Sequence, residues 1–81
     1  MARAPRDRSK DHLLLTLGEA IRAARESCGI SQENLAHATG IERAHMGRIE
    51  RGEANISFLN LMKIAEALDT DLSEIVRSAG F

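Results

Sequence analysis

The twenty residues from Gln32 to Arg51, QENLAHATGIERAHMGRIER, decide how this chain folds. They predict two short helices meeting at Gly40. Helices that cross steeply at a tight turn need a small residue at the crossing, and Ala36 stands there. The turn needs a residue that adopts positive φ without steric cost, and Gly40 supplies it. The inner sides around the turn must be apolar, as Leu35, Ile41, Met46 and Ile49 are. The outer side of the second helix must stay uncovered; it offers Arg43, Ala44, Gly47 and Arg48, with no bulky apolar residue among them.

Outward from this stretch the helical pattern continues both ways. Leu14, Leu17, Ile21, Ala24 and Cys28 recur at alternating spacings of three and four, which predicts one buried helix face with Cys28 as a small core residue. Gly29 is the expected stop and Ser31 the expected N-cap of the next helix, whose inner side is Leu35, Ala36 and Thr39. Gly52 ends the third helix. Ser57 caps a fourth with the stripe Leu61, Ile64, Ala65 and Leu68. Asp71 and Glu74 have the spacing of a capping box before a short fifth helix bearing Leu72, Ile75 and Val76. No segment alternates with period two, so no sheet is expected. Residues 1–12, polar and carrying the only proline, Pro5, read as a flexible basic arm ahead of one domain over residues 13–81. The expected class is all-α, a compact five-helix domain.

At 81 residues and 8.9 kDa there is material for a single small core. No apolar run approaches the ~18 residues of a membrane span, and no signal-peptide core is evident, so a cytoplasmic protein is expected. One cysteine allows neither an intrachain disulfide nor a cysteine-based zinc site. The histidines, His12, His37 and His45, are not paired at metal-binding helical spacing, and no cofactor or metal is expected. Aromatic residues make up 2% of the chain, too few for stacking single-stranded bases. No nucleophile–base set, phosphate loop or paired carboxylates point to an enzyme. The formal charge of −1 conceals an uneven distribution: net +2 over residues 1–12, +1 over 41–52 and −3 over 53–81. Such asymmetry in a small domain suggests an oriented, charged ligand.

Three runs in order, GISQENLA (Gly29–Ala36), GIERAHMGRIERG (Gly40–Gly52) and NLMKIAEALDTDLSEI (Asn60–Ile75), resemble the helix-turn-helix regulators of the lambda Cro and phage-repressor type, the XRE family. The resemblance spans about Leu17 to Val76. Within the family, ERAHMGRIERGEANIS (Glu42–Ser57) is most similar to small stand-alone regulators such as restriction–modification controller proteins. The sequence departs from the usual pattern at Ala44, His45 and Gly47.

The resemblance implies a lambda-repressor-like domain whose third helix enters the major groove of double-stranded DNA. Base contacts are then expected from Arg43, Ala44, His45 and Arg48, and phosphate contacts from Gln32, Gly47, Arg51, Asn55 and Ser57. Family members pair a carboxylate at the position of Glu50 with an arginine on the first helix, here Arg25, which fixes the helices' relative angle. Specific binding implies a homodimer on a near-palindrome. Leu72, Ile75, Val76 and Phe81 are the expected dimer surface, being more apolar residues than a short last helix needs. With no effector domain expected, regulation would follow from concentration and dimerisation. The implied function is a sequence-specific transcriptional regulator. The alternative is an antitoxin that regulates its own operon and takes a toxin as its main partner.

Overall fold

A computed structural model describes the chain from Asp7 to Phe81, with side chains from Asp11 onward. Five helices follow in order: α1 (Asp7–Ser27), α2 (Gln32–Thr39), α3 (Arg43–Glu50), α4 (Phe58–Ala67) and α5 (Leu72–Ser78). Among the described residues there is no strand, and no helix is long and apolar enough to cross a membrane.

The boundaries follow from local chemistry. Ser31 accepts a hydrogen bond from the Asn34 backbone N–H at 3.0 Å, and Ser57 accepts the equivalent bond from Asn60 at 3.0 Å. Each satisfies one of the donors that a helix start leaves unpaired. Gly40 closes α2 at φ 73°, its N–H turned back to the carbonyls of Ala36 and His37. An L side chain at that φ would be strained.

The start of α1 differs from expectation. The helix begins at Asp7, not at Leu13, while residues 1–6 of the predicted arm lie outside the described residues. Between Asp7 and His12 there is neither glycine nor proline to break a helix. The missing apolar periodicity there does not mark an absence of helix.

Two further local expectations are corrected. The helix α1 ends at Ser27, so Cys28 leaves the buried stripe; it is exposed, its thiol donating to the Leu68 carbonyl at 3.5 Å. The capping box at Asp71 does not form. Asp71 makes no side-chain cap bond, and Glu74 pairs instead with Arg77 at 2.8 Å. Two carboxylates would repel in that box, whereas an arginine one turn on attracts the second.

Ile21, Leu35, Met46 and Ile64, one from each of α1 to α4, are fully buried, and Ile75 of α5 joins them in one cluster. Two glycines seat α3 against α1. A Cβ on Gly18 would lie 2.5 Å from the carbonyl oxygen of Ile49, and one on Gly52 would lie 2.6 Å from the Cα of Leu15. Backbone therefore meets backbone at the C-terminal end of α3. Gly52 is doubly constrained, since its φ of 75° is also left-handed.

Because Ile64 touches the shared core with no exposed surface, Ile64→Ala is expected to lower unfolding free energy by about 2–5 kcal/mol. Urea denaturation followed by circular dichroism, at one fixed protein concentration, checks this. A loss below about 1 kcal/mol would contradict the central position given to this residue.

Candidate nucleic-acid interface

The interface is built on a buried ionic cluster. Glu50, the last residue of α3, has a side chain only 2% exposed. Arg25 of α1 grips it with two bonds, Nε to Oε2 at 2.7 Å and Nη2 to Oε1 at 3.1 Å. The remaining Nη1 donates to the Ile30 carbonyl at 2.9 Å. Gln32, opening α2, adds a third bond to the carboxylate, Nε2 to Oε1 at 3.0 Å. The hydrogen bond to Glu50 is the leading cause of a raised Arg25 pKa, opposed by burial. The predicted Arg25–Glu50 bridge is present; the share taken by Gln32 was not foreseen.

This cluster orients the outer side of α3. Arg43, Ala44 and Arg48 are exposed and line one shallow groove together with Gln32, Gly47 and Arg51. His45 is half-buried at the edge of this side, its Nδ1 3.3 Å from Nη2 of Arg48. The four residues expected to face bases thus lie along one side and edge of α3.

The expected phosphate contacts divide. Arg51, Asn55 and Ser57 are exposed; Arg51 pairs with Glu53 at 3.1 Å, and the Ser57 oxygen is engaged as the α4 cap. The Gln32 side chain is committed to Glu50, which leaves the first-turn backbone N–H groups of α2 as the anion-facing donors there. Gly47 differs from the expected phosphate contact: it is buried at the floor of this groove and has no side chain to offer a phosphate. Its role is spatial. A Cβ there would lie 3.1 Å from Arg51 Nη1 and 3.3 Å from Gln32 Oε1, so the glycine makes the notch over which both side chains lie. The signal for this was a glycine inside a short helix, a costly choice without a packing reason.

The charge asymmetry has a spatial form. Cations line the α2–α3 groove, while Glu66, Asp69, Asp71 and Glu74 gather around a depression between α4 and α5. Among the described residues no cluster of side chains suits a metal ion.

Removing one partner from a buried pair leaves an uncompensated charge. Arg25→Ala is therefore expected to cost about 3–5 kcal/mol in stability, and the double replacement Arg25→Met with Glu50→Leu to recover most of it. Urea titration of the three proteins checks both. Equal losses in the single and double variants would show that the pair does not act as a unit.

The helix-turn-helix family model matches residues 21–75. The control protein C.SmaI of Serratia marcescens is 34% identical over 64 residues, covering 79% of this chain and 76% of that protein. The control protein C.BamHI of Bacillus amyloliquefaciens is 33% identical over 67 residues, covering 82% and 83% respectively. Among solved structures, the restriction–modification controller C.AhdI from Aeromonas hydrophila superposes with a TM-score of 0.75 at 40% identity, over 76% of this chain and 94% of that one. The regulator ClgR from Corynebacterium glutamicum superposes with a TM-score of 0.82 at 26% identity, over 84% and 72%. With its turn at Gly40, its ionic cluster at Glu50 and these relatives, the chain belongs to the XRE-type helix-turn-helix family, beside the restriction–modification control proteins.

Proposed function

We propose that this chain is a transcriptional regulator of the controller type, which binds double-stranded DNA sequence-specifically as a homodimer on a near-palindromic operator in the cytoplasm. The observation that carries the reading is the division of α3. Its inner side is consumed by Met46, Ile49 and Glu50, while Arg43, Ala44 and Arg48 stand free on the other. A helix about 10–12 Å across fits a major groove about 12 Å wide. Only there does each base pair show a distinct edge. Arg43, in the first turn of α3, is placed to bond guanine O6 and N7. Ala44 suits a thymine methyl. Arg48 reads a second base. Arg51, Asn55, Ser57 and the start of α2 hold the backbone in register. The named relatives support this reading over the antitoxin alternative.

The dimer surface is reassigned. Ile75 is 2% exposed and belongs to the chain's own core, so it cannot anchor a partner. Leu72 and Val76 are half-buried. Of the large apolar side chains left in solvent, α1 carries Leu13 and Leu15, and α4 carries the two most exposed, Phe58 at 67% and Leu59 at 70%, with Met62 at 43%. Lys63 and Glu66 flank Leu59, Met62 and Leu72 on the same surface. A face carrying an apolar centre and both charge signs is self-complementary under a two-fold axis. Phe81, 54% exposed, is the one residue of the expected surface still standing in solvent.

Selection of bound duplexes from a random pool at fixed salt tests the DNA assignment. Arg43→Ala is expected to erase the preference at one base pair per half-site, worth about 1–3 kcal/mol. Arg51→Ala should weaken all sequences alike and lower the salt slope by about 1. An unchanged motif for Arg43→Ala would overturn the base reading. For the dimer, Leu59→Lys is expected to convert a light-scattering mass of two chains into that of one. A wild type that is strictly monomeric at tens of micromolar contradicts the proposed assembly.

A further inference from the structure

Arg48 stands in solvent in the middle of the proposed reading surface, and none of the ion pairs among the described residues includes it. Its side-chain partner is His45, one turn earlier on α3, with Nη2 of the arginine 3.3 Å from Nδ1 of the ring. A guanidinium carries five donors and no acceptor. As a hydrogen bond, the contact has the guanidinium donating and Nδ1 accepting. The ring is half-buried and the arginine is exposed. Without the ring, the long arginine side chain would spread over many staggered rotamers.

We infer that His45 is a positioning residue. It aims the Arg48 guanidinium, so the base preference of Arg48 depends on the acceptor at Nδ1 and not on a base contact made by His45. The inference rests on the DNA-reading assignment of α3. It narrows the base contact expected for His45 from the sequence to an indirect one, and it names an acceptor-rich base edge, guanine O6 and N7, as what Arg48 is aimed to meet.

Three replacements separate the two roles. H45N places an amide oxygen where Nδ1 stands and removes the far nitrogen. H45Q reaches to the far nitrogen's place and removes the near acceptor. H45L removes both. Each protein, with wild type and R48A, is taken through duplex selection at one fixed salt concentration. R48A identifies the base pair that Arg48 reads; positions read by Arg43 serve as the internal control for folding. At the Arg48 position, H45L and H45Q are expected to lose about three- to tenfold in preference. H45N is expected to rescue the loss. The inference is overturned if H45Q rescues and H45N does not, because His45 then reads a base through Nε2. It is equally overturned if all three histidine variants select the wild-type motif, or if R48A changes no position. A wild type that selects no motif would instead bring down the DNA-reading assignment beneath it.

Discussion

A carboxylate buried at the C-terminal end of a helix is unfavourable twice over. It has lost its water, and it sits at the negative end of the helix dipole. Glu50 is in that position, and the fold around it is arranged to compensate. Arg25 comes from α1 and Gln32 from the first residue of α2, so the three bonds to one carboxylate tie together three helices. Gly18 and Gly52 hold the same end of α3 against the backbone of α1. Apolar packing alone would leave α3 free to rotate by small amounts around Met46 and Ile49. Directional bonds at one end and backbone contact beside them remove that freedom. For a helix whose outer side is to be read against a rigid partner, angle matters more than the total stability gained.

Every position of this eight-residue helix then has an assignable use. Met46 and Ile49 fill the core, and Glu50 holds the angle. Gly47 gives up helix propensity so that Gln32 and Arg51 can lie across α3. Arg43, Ala44 and Arg48 are left outward, with His45 at their edge. The absence of bulk at positions 44 and 47 is part of the same arrangement, since larger side chains would lift the two arginines away from any surface met by α3.

What the sequence could reveal was set by the range of each signal. Ser31, Gly40 and Ser57 are legible because caps and left-handed turns are local chemistry, decided within three or four residues. The inner stripe of α1 to α4 is legible for the same reason, as periodicity reports which side of a helix is apolar. Periodicity does not say what that side meets. Ile75 looked available for a partner because the seven residues of a short helix cannot distinguish core from surface; in the fold, Ile75 joins the same buried cluster as Ile21 and Ile64. Cys28 fitted a stripe that the helix ends one residue too early to complete. The Arg25–Glu50 pair, 25 residues apart, came from the family resemblance and not from spacing. Gln32 was assigned to phosphate because its other attraction, to Glu50, is a tertiary one. Among the site residues, His45 and Arg48 had a readable signal in their i, i+3 spacing.

The formal charge of −1 bears on how such a domain discriminates. Strongly basic proteins gain most of their DNA affinity from phosphate neutralisation, which is blind to sequence. Here Arg43, Arg48 and Arg51 line the α2–α3 groove, while Glu66, Asp69, Asp71 and Glu74 gather between α4 and α5. Beyond a screening length of about 8 Å the field of exposed charges is largely screened by salt. Long-range attraction to any duplex is accordingly weak, and affinity must come from contacts that form only when α3 is seated. Few such contacts fit on two turns of helix. That scarcity is the physical reason the proposed assembly uses a second copy, and it raises the value of each guanidinium held in a fixed direction.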